Sequence, residues 1–276
     1  MRIVFAAIYA IFAAFYAEKT ESWSPSSRRS WLNQIMQQGA AVIATTTVAA
    51  TPTLLLNPSV AFATEENKGL ESVYFGVGCF WHIQHEFAVA ERDLLNRNKS
   101  QLTCKTGYAG GKQVGEEGKV CYHNFLQVAD YGRMGHGEVV GLELPSDQIV
   151  KFAEVYFSLF DPNTKDRVDP MDRGSEYRSL MGLPGGTSHP LYPDIVQVAQ
   201  SAGFTLKPGK GSDPDTLRQQ LVYVYDTKDF PFYQAEVYHQ FHNDFQSKPY
   251  GREYNAIADL ALEDGRIKAT GCPDRV

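Results

Sequence analysis

A cysteine stands at the start of a predicted helix, in the segment GCFWH at residues 78–82. A thiol in the first turn of a helix lies near the positive end of the helix dipole and near unpaired N–H groups, which favour its thiolate. Because a single cysteine is more often a small residue of a hydrophobic core, position alone leaves two interpretations of Cys79 open. It is either a nucleophile or a core residue.

Two other segments carry acid and phenol groups. Glu138 lies in GHGEVV, residues 135–140, where two valines follow it. A carboxyl group among apolar neighbours keeps its proton to higher pH and can act as a general acid. Asp172 and Tyr177 lie in DRGSEYRS, residues 172–179, which alone is typical of a polar loop. Each segment by itself is as typical of an ordinary protein surface as of a catalytic site.

Paired histidines suggest a different chemistry. His82 and His85 are three residues apart on one predicted helix, and His239 and His242 have the same spacing on another. Such pairs can face one side of a helix, so together they could supply four metal ligands. No HExxH motif or suitably spaced carboxylate accompanies them. A metal hydrolase is therefore the weaker alternative, and we expect no metal and no cofactor.

The elements that must position these residues follow from apolar runs and turn residues. The order β-α-β-β-α-β predicts the α+β class, as a two-layer α/β sandwich of the split-βαβ (ferredoxin-like) kind. Ser146 is the predicted N-cap of one helix, and Pro231 opens another. The predicted strands are 72–78, 102–111, 136–144, 176–183 and 221–226, and the predicted helices are 79–93, 145–162, 191–203 and 231–246.

Composition excludes several classes of protein. The chain has 276 residues, of which 43% are hydrophobic, and a net charge of −6. No long basic stripe is present, so we expect no nucleic acid partner. Four cysteines without a CxxC pair argue against a disulfide scaffold and against a zinc knuckle.

The first 63 residues are typical of targeting signals. Residues 1–17 match a signal peptide, and Arg28-Arg29, a later apolar run and the A-x-A site at 61–63 match a twin-arginine signal. Two signals in series resemble presequences of proteins sent to the thylakoid lumen of complex plastids, with plain secretion as the alternative. We expect a mature, membrane-free chain from Thr64, with one domain at 64–250 and a tail at 251–276.

Seven blocks in order resemble the methionine-S-sulfoxide reductases of the A type. They span about residues 73–245, and GCFW followed by GHxEVV and DxGxxYRS is the most specific combination. The blocks are GCFW (78–81), GYAGG (107–111), VC (120–121), GHGEVV (135–140), FDP (160–162), DRGSEYRS (172–179) and AEVYHQ (235–240).

This resemblance implies roles for the candidate residues. The Cys79 thiolate would attack the sulfur of methionine sulfoxide and end as a sulfenic acid. Glu138 would give a proton to the sulfoxide oxygen, and Tyr177 would hydrogen-bond to that oxygen. Asp172 would order the substrate and the pocket. The aromatic rings of Phe80 and Trp81 would bind the S-methyl group.

The resemblance also implies a second thiol and an external reductant. Cys272, four residues from the end in a Gly-containing tail, is the favoured resolving cysteine, and Cys104 is the runner-up. Cys121 occupies a position that is usually structural in the family, and a Cys104–Cys121 disulfide is an alternative in an oxidising compartment. We expect a monomer that reduces protein-bound or free methionine sulfoxide and is recycled by a thioredoxin-like reductant.

Several positions depart from the family pattern. Glu117 occupies the place of a usual tyrosine, and Tyr122 or Tyr131 could replace it, which the sequence leaves open. Residues 122–134 form a longer link than usual, and residues 184–220 are also unlike typical members. The alternative to an enzyme is therefore a non-catalytic redox sensor or binding protein of the same fold.

Overall fold

A seven-stranded mixed sheet organises the part of the chain that the structure, a computed structural model, describes: residues 69–245 and 247–273. The strands are β1 (Leu70–Gly76), β2 (Lys105–Ala109), β3 (Gly137–Pro145), β4 (Leu180–Leu183), β5 (Thr205–Pro208), β6 (Leu221–Asp226) and β7 (Tyr233–Gln234). Their order across the sheet is β5-β6-β4-β1-β3-β2-β7.

The pairing of these strands is antiparallel in the middle and parallel at one edge. β1 pairs antiparallel with β3 and β4, and β2 pairs antiparallel with β3 and β7. β6 pairs parallel with both β4 and β5. The α+β class is therefore confirmed. The finer split-βαβ description stays a prediction, because β5, β6 and β7 extend the sheet beyond the four strands of that motif.

Four α-helices accompany the sheet within the described residues. They are α1 (Phe80–Leu95), α2 (Ile149–Ser158), α3 (Tyr192–Ala202) and α4 (Arg252–Glu263). As predicted, α3 ends at Gly203, whose φ of 88° is a left-handed conformation that glycine adopts without strain. None of the helices in the described ranges is both long and apolar enough to cross a membrane.

The two faces of the sheet bury different sets of residues. On β1, Val73 and Phe75 belong to a large core that includes Phe87 of α1 and Phe152 of α2. Tyr74, between them, points to the opposite face and joins a smaller apolar cluster. This alternation follows from the two-residue period of a strand. The helices therefore pack on one face of the sheet. The end of β1 and the start of β3 lie next to the start of α1.

Two predicted helix features are wrong. The helix predicted over residues 231–246 is absent from the described residues 231–245, because Tyr233 and Gln234 pair with β2 as β7 and a single 3-10 turn follows. The side chain of Gln240 continues this edge, since it accepts from the Thr106 N–H and donates to the Thr106 carbonyl. Ser146 is not an N-cap, because its hydroxyl donates to the Gly69 carbonyl and a 3-10 turn precedes α2.

The C-terminal segment contains a helix that the sequence analysis missed. In α4, Tyr254, Ile257 and Ala261 are buried, a spacing of three and four residues that is typical of an amphipathic helix. This spacing was the available signal. The predicted presequence at residues 1–63 and the mature start at Thr64 lie outside the described residues.

Candidate active site

A tight turn between β1 and α1 places Cys79 at the start of the helix. Gly78 has a φ of 67°, and its N–H donates to the Tyr177 carbonyl at 3.2 Å. A Cβ at this position would lie 2.5 Å from Oδ2 of Asp172, so only glycine fits. Cys79 itself is the extended residue that precedes the first helical turn. The predicted strand–glycine–cysteine–helix arrangement is therefore present.

Two carboxyl groups accept hydrogen bonds from the first N–H groups of α1. The Cys79 N–H donates to Oδ2 of Asp172 at 2.8 Å, and the Phe80 N–H donates to Oε2 of Glu138 at 2.9 Å. The first N–H groups of a helix have no partner inside the helix, so these side chains satisfy them. The structure thereby brings Cys79, Glu138 and Asp172 together, as the sequence analysis expected.

The thiol of Cys79 does not have the lowered pKa that its position suggested. Burial raises its pKa well above the usual range, and the nearby Glu138 raises it further. The N–H groups of Trp81 and His82 act in the opposite direction, as expected at a helix start, but they do not prevail. The resting group is therefore a thiol, and its ionisation is linked to the protonation of Glu138.

Glu138 is a buried acid with a strongly shifted pKa. Burial raises the pKa to about 8, the Phe80 N–H opposes this shift, and the charge of Asp172 supports it. At neutral pH the carboxyl group is therefore mostly protonated and able to donate. Burial also raises the pKa of Asp172 to about 6, against the hydrogen bond from Cys79, so Asp172 is mostly a carboxylate at neutral pH.

Two phenol groups, those of Tyr131 and Tyr177, lie near Glu138. The hydroxyl of Tyr131 lies 3.1 Å from Oε1 of Glu138 and is fully buried. Tyr177 is half-buried, and its pKa is raised first by burial and then by Glu138. Glu117, at the position of the usual tyrosine, is exposed and pairs with Lys119 at 2.8 Å. Tyr131, from the longer link, therefore contacts Glu138, and its replacement of the usual tyrosine stays a prediction.

Aromatic rings form the apolar side of the site. Phe80 is buried between Tyr122 and His239, with ring centroids 6.5 and 5.0 Å away. Trp81 lies closer to the surface and packs against Phe245, which is 82% exposed, with centroids 5.1 Å apart. Phe80 is thus 1% exposed and Trp81 is 8% exposed, so the ring of Trp81 is the more accessible of the two.

His123 is a site residue that the sequence analysis missed. Its ring nitrogens lie 2.8 Å from Oδ2 of Asp130 and 3.7 Å from Oε2 of Glu176. Contacts with these carboxylates, Glu176 first, raise the pKa of His123 to about 9. The resulting imidazolium favours the charged form of Glu138. No sequence signal pointed to it, because residues 122–134 have no regular period.

The loop that carries Asp172 is held from behind. The buried guanidinium of Arg167 donates to the Asp172 carbonyl at 2.7 Å and also to the carboxylate of Asp215. The same carboxylate accepts from the Gly174 N–H at 2.8 Å. Asp215 belongs to the atypical stretch 184–220, so this stretch supports the loop that contacts Cys79.

The observed disulfide differs from the predicted alternative, which joined Cys104 to Cys121. Cys121 and Cys272 form a disulfide with Cα atoms 5.6 Å apart, whereas Cys79 and Cys104 are free. The alternative Cys104–Cys121 disulfide is therefore wrong, because Cys104 is buried under α1, where its N–H donates to Glu91. Cys272 is placed at Cys121 and not at Cys79.

The four histidines of the metal hypothesis have other partners. His82 lies 3.4 Å from Asp244, and the ring of His85 stacks on Tyr250 with centroids 3.7 Å apart. His242 contacts Trp81, and burial lowers the pKa of His239 to about 3, so its ring is neutral. Within the described ranges the one cluster with metal-ligand spacing comprises Cys121, Glu236 and Cys272, and both sulfurs are in the disulfide.

Comparison with known proteins identifies a family for this chain. The model of the family "Peptide methionine sulfoxide reductase" matches residues 71–208, which is half of the chain. The chain is similar to "Peptide methionine sulfoxide reductase MsrA" of Trichodesmium erythraeum, with 26% identity over 66% of this chain and 85% of that protein. It is 28% identical to the protein of the same name from Acinetobacter baumannii, over 65% of this chain and 85% of the relative.

The chain is also similar to a solved structure, that of Mxr1 from Saccharomyces cerevisiae in reduced form. It is 21% identical to this chain, with a TM-score of 0.40, over 63% of this chain and 84% of that one. The family match includes Cys79, Glu138, Asp172 and Tyr177, the residues that the geometry brings together. The chain belongs to the peptide methionine sulfoxide reductase family, A type.

Proposed function

We propose that this protein reduces methionine (S)-sulfoxide in peptides and proteins and so repairs oxidised methionine. The observation that carries the proposal is the pair of groups at the start of α1. The thiol of Cys79 lies against the N–H groups that follow it in α1, and the protonated carboxyl group of Glu138 accepts from the N–H of the next residue, Phe80. A nucleophile and an acid in this arrangement can act on the sulfur and the oxygen of one sulfoxide.

The chemical step transfers one oxygen atom. The Cys79 thiolate attacks the sulfoxide sulfur while Glu138 gives its proton to the sulfoxide oxygen. The attack forms a bond between the two sulfurs. The hydroxyl group then passes from the substrate sulfur to the Cys79 sulfur as that bond breaks, so the sulfide leaves and Cys79 becomes a sulfenic acid. Glu138 ends as a carboxylate and takes up a proton from water before the next cycle. The thiol proton is lost before attack, since the resting group is protonated.

The surrounding side chains orient the substrate. The hydroxyl group of Tyr177 faces the region of Glu138 and supplies a hydrogen bond to the oxygen as charge develops, whereas the hydroxyl group of Tyr131 holds Glu138 in position. The ring of Trp81, backed by Phe80, binds the methyl group of the substrate. The preference for the S epimer rests on family membership.

Recycling requires a second thiol, and Cys272 fills this role in our proposal. The Cys272 thiol attacks the Cys79 sulfenic acid, which releases water and forms a Cys79–Cys272 disulfide. The Cys121 thiol then attacks the Cys272 sulfur, so Cys79 is freed and the observed Cys121–Cys272 disulfide results. A thioredoxin-like dithiol reduces that disulfide. Tyr122, next to Cys121, packs on Phe80, which brings the disulfide region close to the site.

Disulfide mapping tests this route. The reduced protein receives one equivalent of methionine sulfoxide without reductant, and its cysteines are then analysed by mass spectrometry. We expect Cys121–Cys272 in the native protein and an accumulated Cys79–Cys272 disulfide in Cys121→Ser. The Cys104→Ser variant should behave like the native protein. A sulfenic acid that persists on Cys79 in the native protein would contradict the route.

Turnover tests the main proposal. The protein is incubated with the separated S and R sulfoxides of a blocked methionine and with dithiothreitol. We expect reduction of the S epimer alone, with complete loss in Cys79→Ser and retention in Cys104→Ser, a matched change at the other free cysteine. Reduction of both epimers, or activity that survives in Cys79→Ser, would contradict the proposal.

A redox sensor is the second candidate, and the raised pKa of Cys79 is the observation that favours it. A thiol that ionises little attacks slowly, so the protein would bind oxidised methionine without rapid turnover. Folded protein that binds a sulfoxide peptide but does not reduce it would support this candidate.

For location, we propose the thylakoid lumen. The two targeting segments in series support it, and a disulfide such as Cys121–Cys272 is typical of oxidising compartments. Sequencing the mature N-terminus is the test. We expect a start near Thr64, and a start before residue 50 would contradict the lumenal signal.

A further inference from the structure

Residues 122–134 are here named the rim loop. Tyr122 and Tyr131, near the two ends of this loop (its base), belong to the active site. Tyr131 donates its hydroxyl hydrogen bond to Glu138, and Tyr122 packs its ring against Phe80. The backbone at the base is closed, since the Tyr131 N–H donates to the Cys121 carbonyl at 2.8 Å. Residues 125–128, here called the tip of the rim loop, are therefore connected at both ends to residues that contact the reacting groups.

One side chain braces the inside of the rim loop. The amide of Asn124 donates to the carbonyls of Tyr122 and Val128, each at 2.9 Å, and accepts from the Val128 N–H at 2.9 Å. The Gln127 N–H donates to the Asn124 carbonyl at 2.9 Å. These bonds stabilise one conformation of the tip, so its side chains have defined positions relative to the pocket.

The tip presents large apolar side chains to solvent. Phe125 is 93% exposed and Leu126 is 72% exposed, and Val128 beside them is also exposed. Isolated exposed apolar residues are common, but three within four residues on a braced loop make a patch, which is typical of a binding surface. Met171 is exposed one residue before Asp172, and Phe245 is exposed against Trp81.

We propose that the tip of the rim loop binds the polypeptide on either side of an oxidised methionine and favours apolar neighbours. This inference rests on the proposed function, because the pocket takes one side chain and the rest of the substrate must pass over its rim. The exposed residues lie in the loop between Tyr122 and Tyr131, which both contact the site, so a chain bound at the site can extend over them.

The chemistry of the substrate supports this occupant. Methionine is mostly buried in native proteins, and its sulfoxide disrupts the core that contains it. Segments that expose an oxidised methionine therefore carry other core residues beside it. Leucine, valine and phenylalanine neighbours match a surface made of Phe125, Leu126 and Val128.

Steady-state kinetics with three substrates tests the proposal. They are a blocked methionine (S)-sulfoxide, a nine-residue peptide with leucines beside the sulfoxide, and the same peptide with serines there. In the double variant Phe125→Ser, Leu126→Ser, we expect kcat/KM for the leucine peptide relative to the blocked amino acid to fall about tenfold. In Leu262→Ser, which removes an exposed leucine of α4, this ratio should change less than about twofold.

A binding measurement keeps the inference separate from the chemistry. Fluorescence anisotropy of the labelled leucine peptide on Cys79→Ser should show roughly tenfold weaker binding when the tip is also changed. An equal fall for all three substrates, or no change in either assay, would overturn the proposal. So would light scattering that shows a dimer broken by the tip variant while the kinetic ratio stays constant, because the surface would then bind a second copy.

Discussion

The two sides of the active site are held in different ways. On the helix side, Cys79, Phe80 and Trp81 lie at the start of α1, and the backbone N–H groups there also fix Glu138. On the loop side, Tyr131, His123 and Asp172 reach the site from irregular segments, and side-chain contacts hold those segments. The groups that form bonds or transfer protons are concentrated on the helix side. The loop side sets their protonation and the shape of the pocket.

This difference separates the expected effects of substitution. A change on the helix side should affect the chemical step itself, because it removes a reacting group. A change on the loop side should shift pH dependence or substrate affinity and leave residual turnover. The following variants test that separation, from the largest expected effect to the smallest.

Glu138→Gln should have the largest effect. Glutamine keeps the shape and can still accept from the Phe80 N–H, but it cannot give a proton to the sulfoxide oxygen. We expect kcat to fall by roughly 10²–10⁴-fold with little change in KM. The control is Glu143→Gln on the same strand, where the carboxylate accepts from the Ser72 hydroxyl. A fall in kcat of less than about threefold would exclude Glu138 as the acid.

Tyr131→Phe should have an intermediate effect. The Tyr131 hydroxyl favours the charged form of Glu138, so its loss should raise the pKa of that carboxyl group further. We expect kcat to fall about tenfold, from the lost hydrogen bond, and the acid limb of the pH profile to extend to higher pH. The matched control is Tyr74→Phe, which removes a buried hydroxyl that donates to the Phe230 carbonyl. Equal kinetics in both variants would assign Tyr131 a structural role.

Asp215→Asn should have the smallest effect of the three. It weakens the support of Arg167 and of the Gly174 N–H, and so loosens the loop that holds Asp172. We expect KM to rise about threefold to tenfold while kcat changes little, and the melting temperature to fall. Asp166→Asn, which affects an acceptor of the Arg218 N–H, is the control. A loss in kcat without a change in KM would place Asp215 in the chemistry instead.

The helix side was predictable because its residues belong to regular elements. An apolar run that ends in glycine, followed by a helical period, placed Cys79 at the start of α1, and the family motifs added Glu138. The residues of the loop side were harder to predict from the sequence. Tyr131 was one of two open alternatives, since an irregular segment does not show which phenol turns inwards.

The protonation of Cys79 also escaped sequence reasoning. The N–H groups at the helix start do act to lower its pKa, but burial outweighs them, and Glu138 and Asp172, which lie 59 and 93 residues away along the chain, raise it further. The same limit explains why a helix was wrongly predicted over residues 231–246 and why the disulfide was not predicted. Tyr233 pairs with β2, and Cys272 bonds to Cys121, 151 residues earlier. Periodicity within one segment contains no information about such distant partners.

The coupled ionisation of Cys79 and Glu138 is the central claim, and a pH–rate profile tests it most directly. The reacting form has a thiolate beside a protonated carboxyl group, which is a one-proton state of the pair. The pKa of Glu138 is about 8 and that of Cys79 lies higher, so the pair holds two protons below pH 8 and one above it.

The measurement is the single-turnover rate of sulfoxide reduction by the reduced protein, from about pH 5 to pH 10. In the native protein the rate constant should rise about tenfold per pH unit and level off near pH 8, where Glu138 loses its proton. In Glu138→Gln it should be much lower and keep rising with the thiolate fraction. The same break near pH 8 in both proteins would contradict the account.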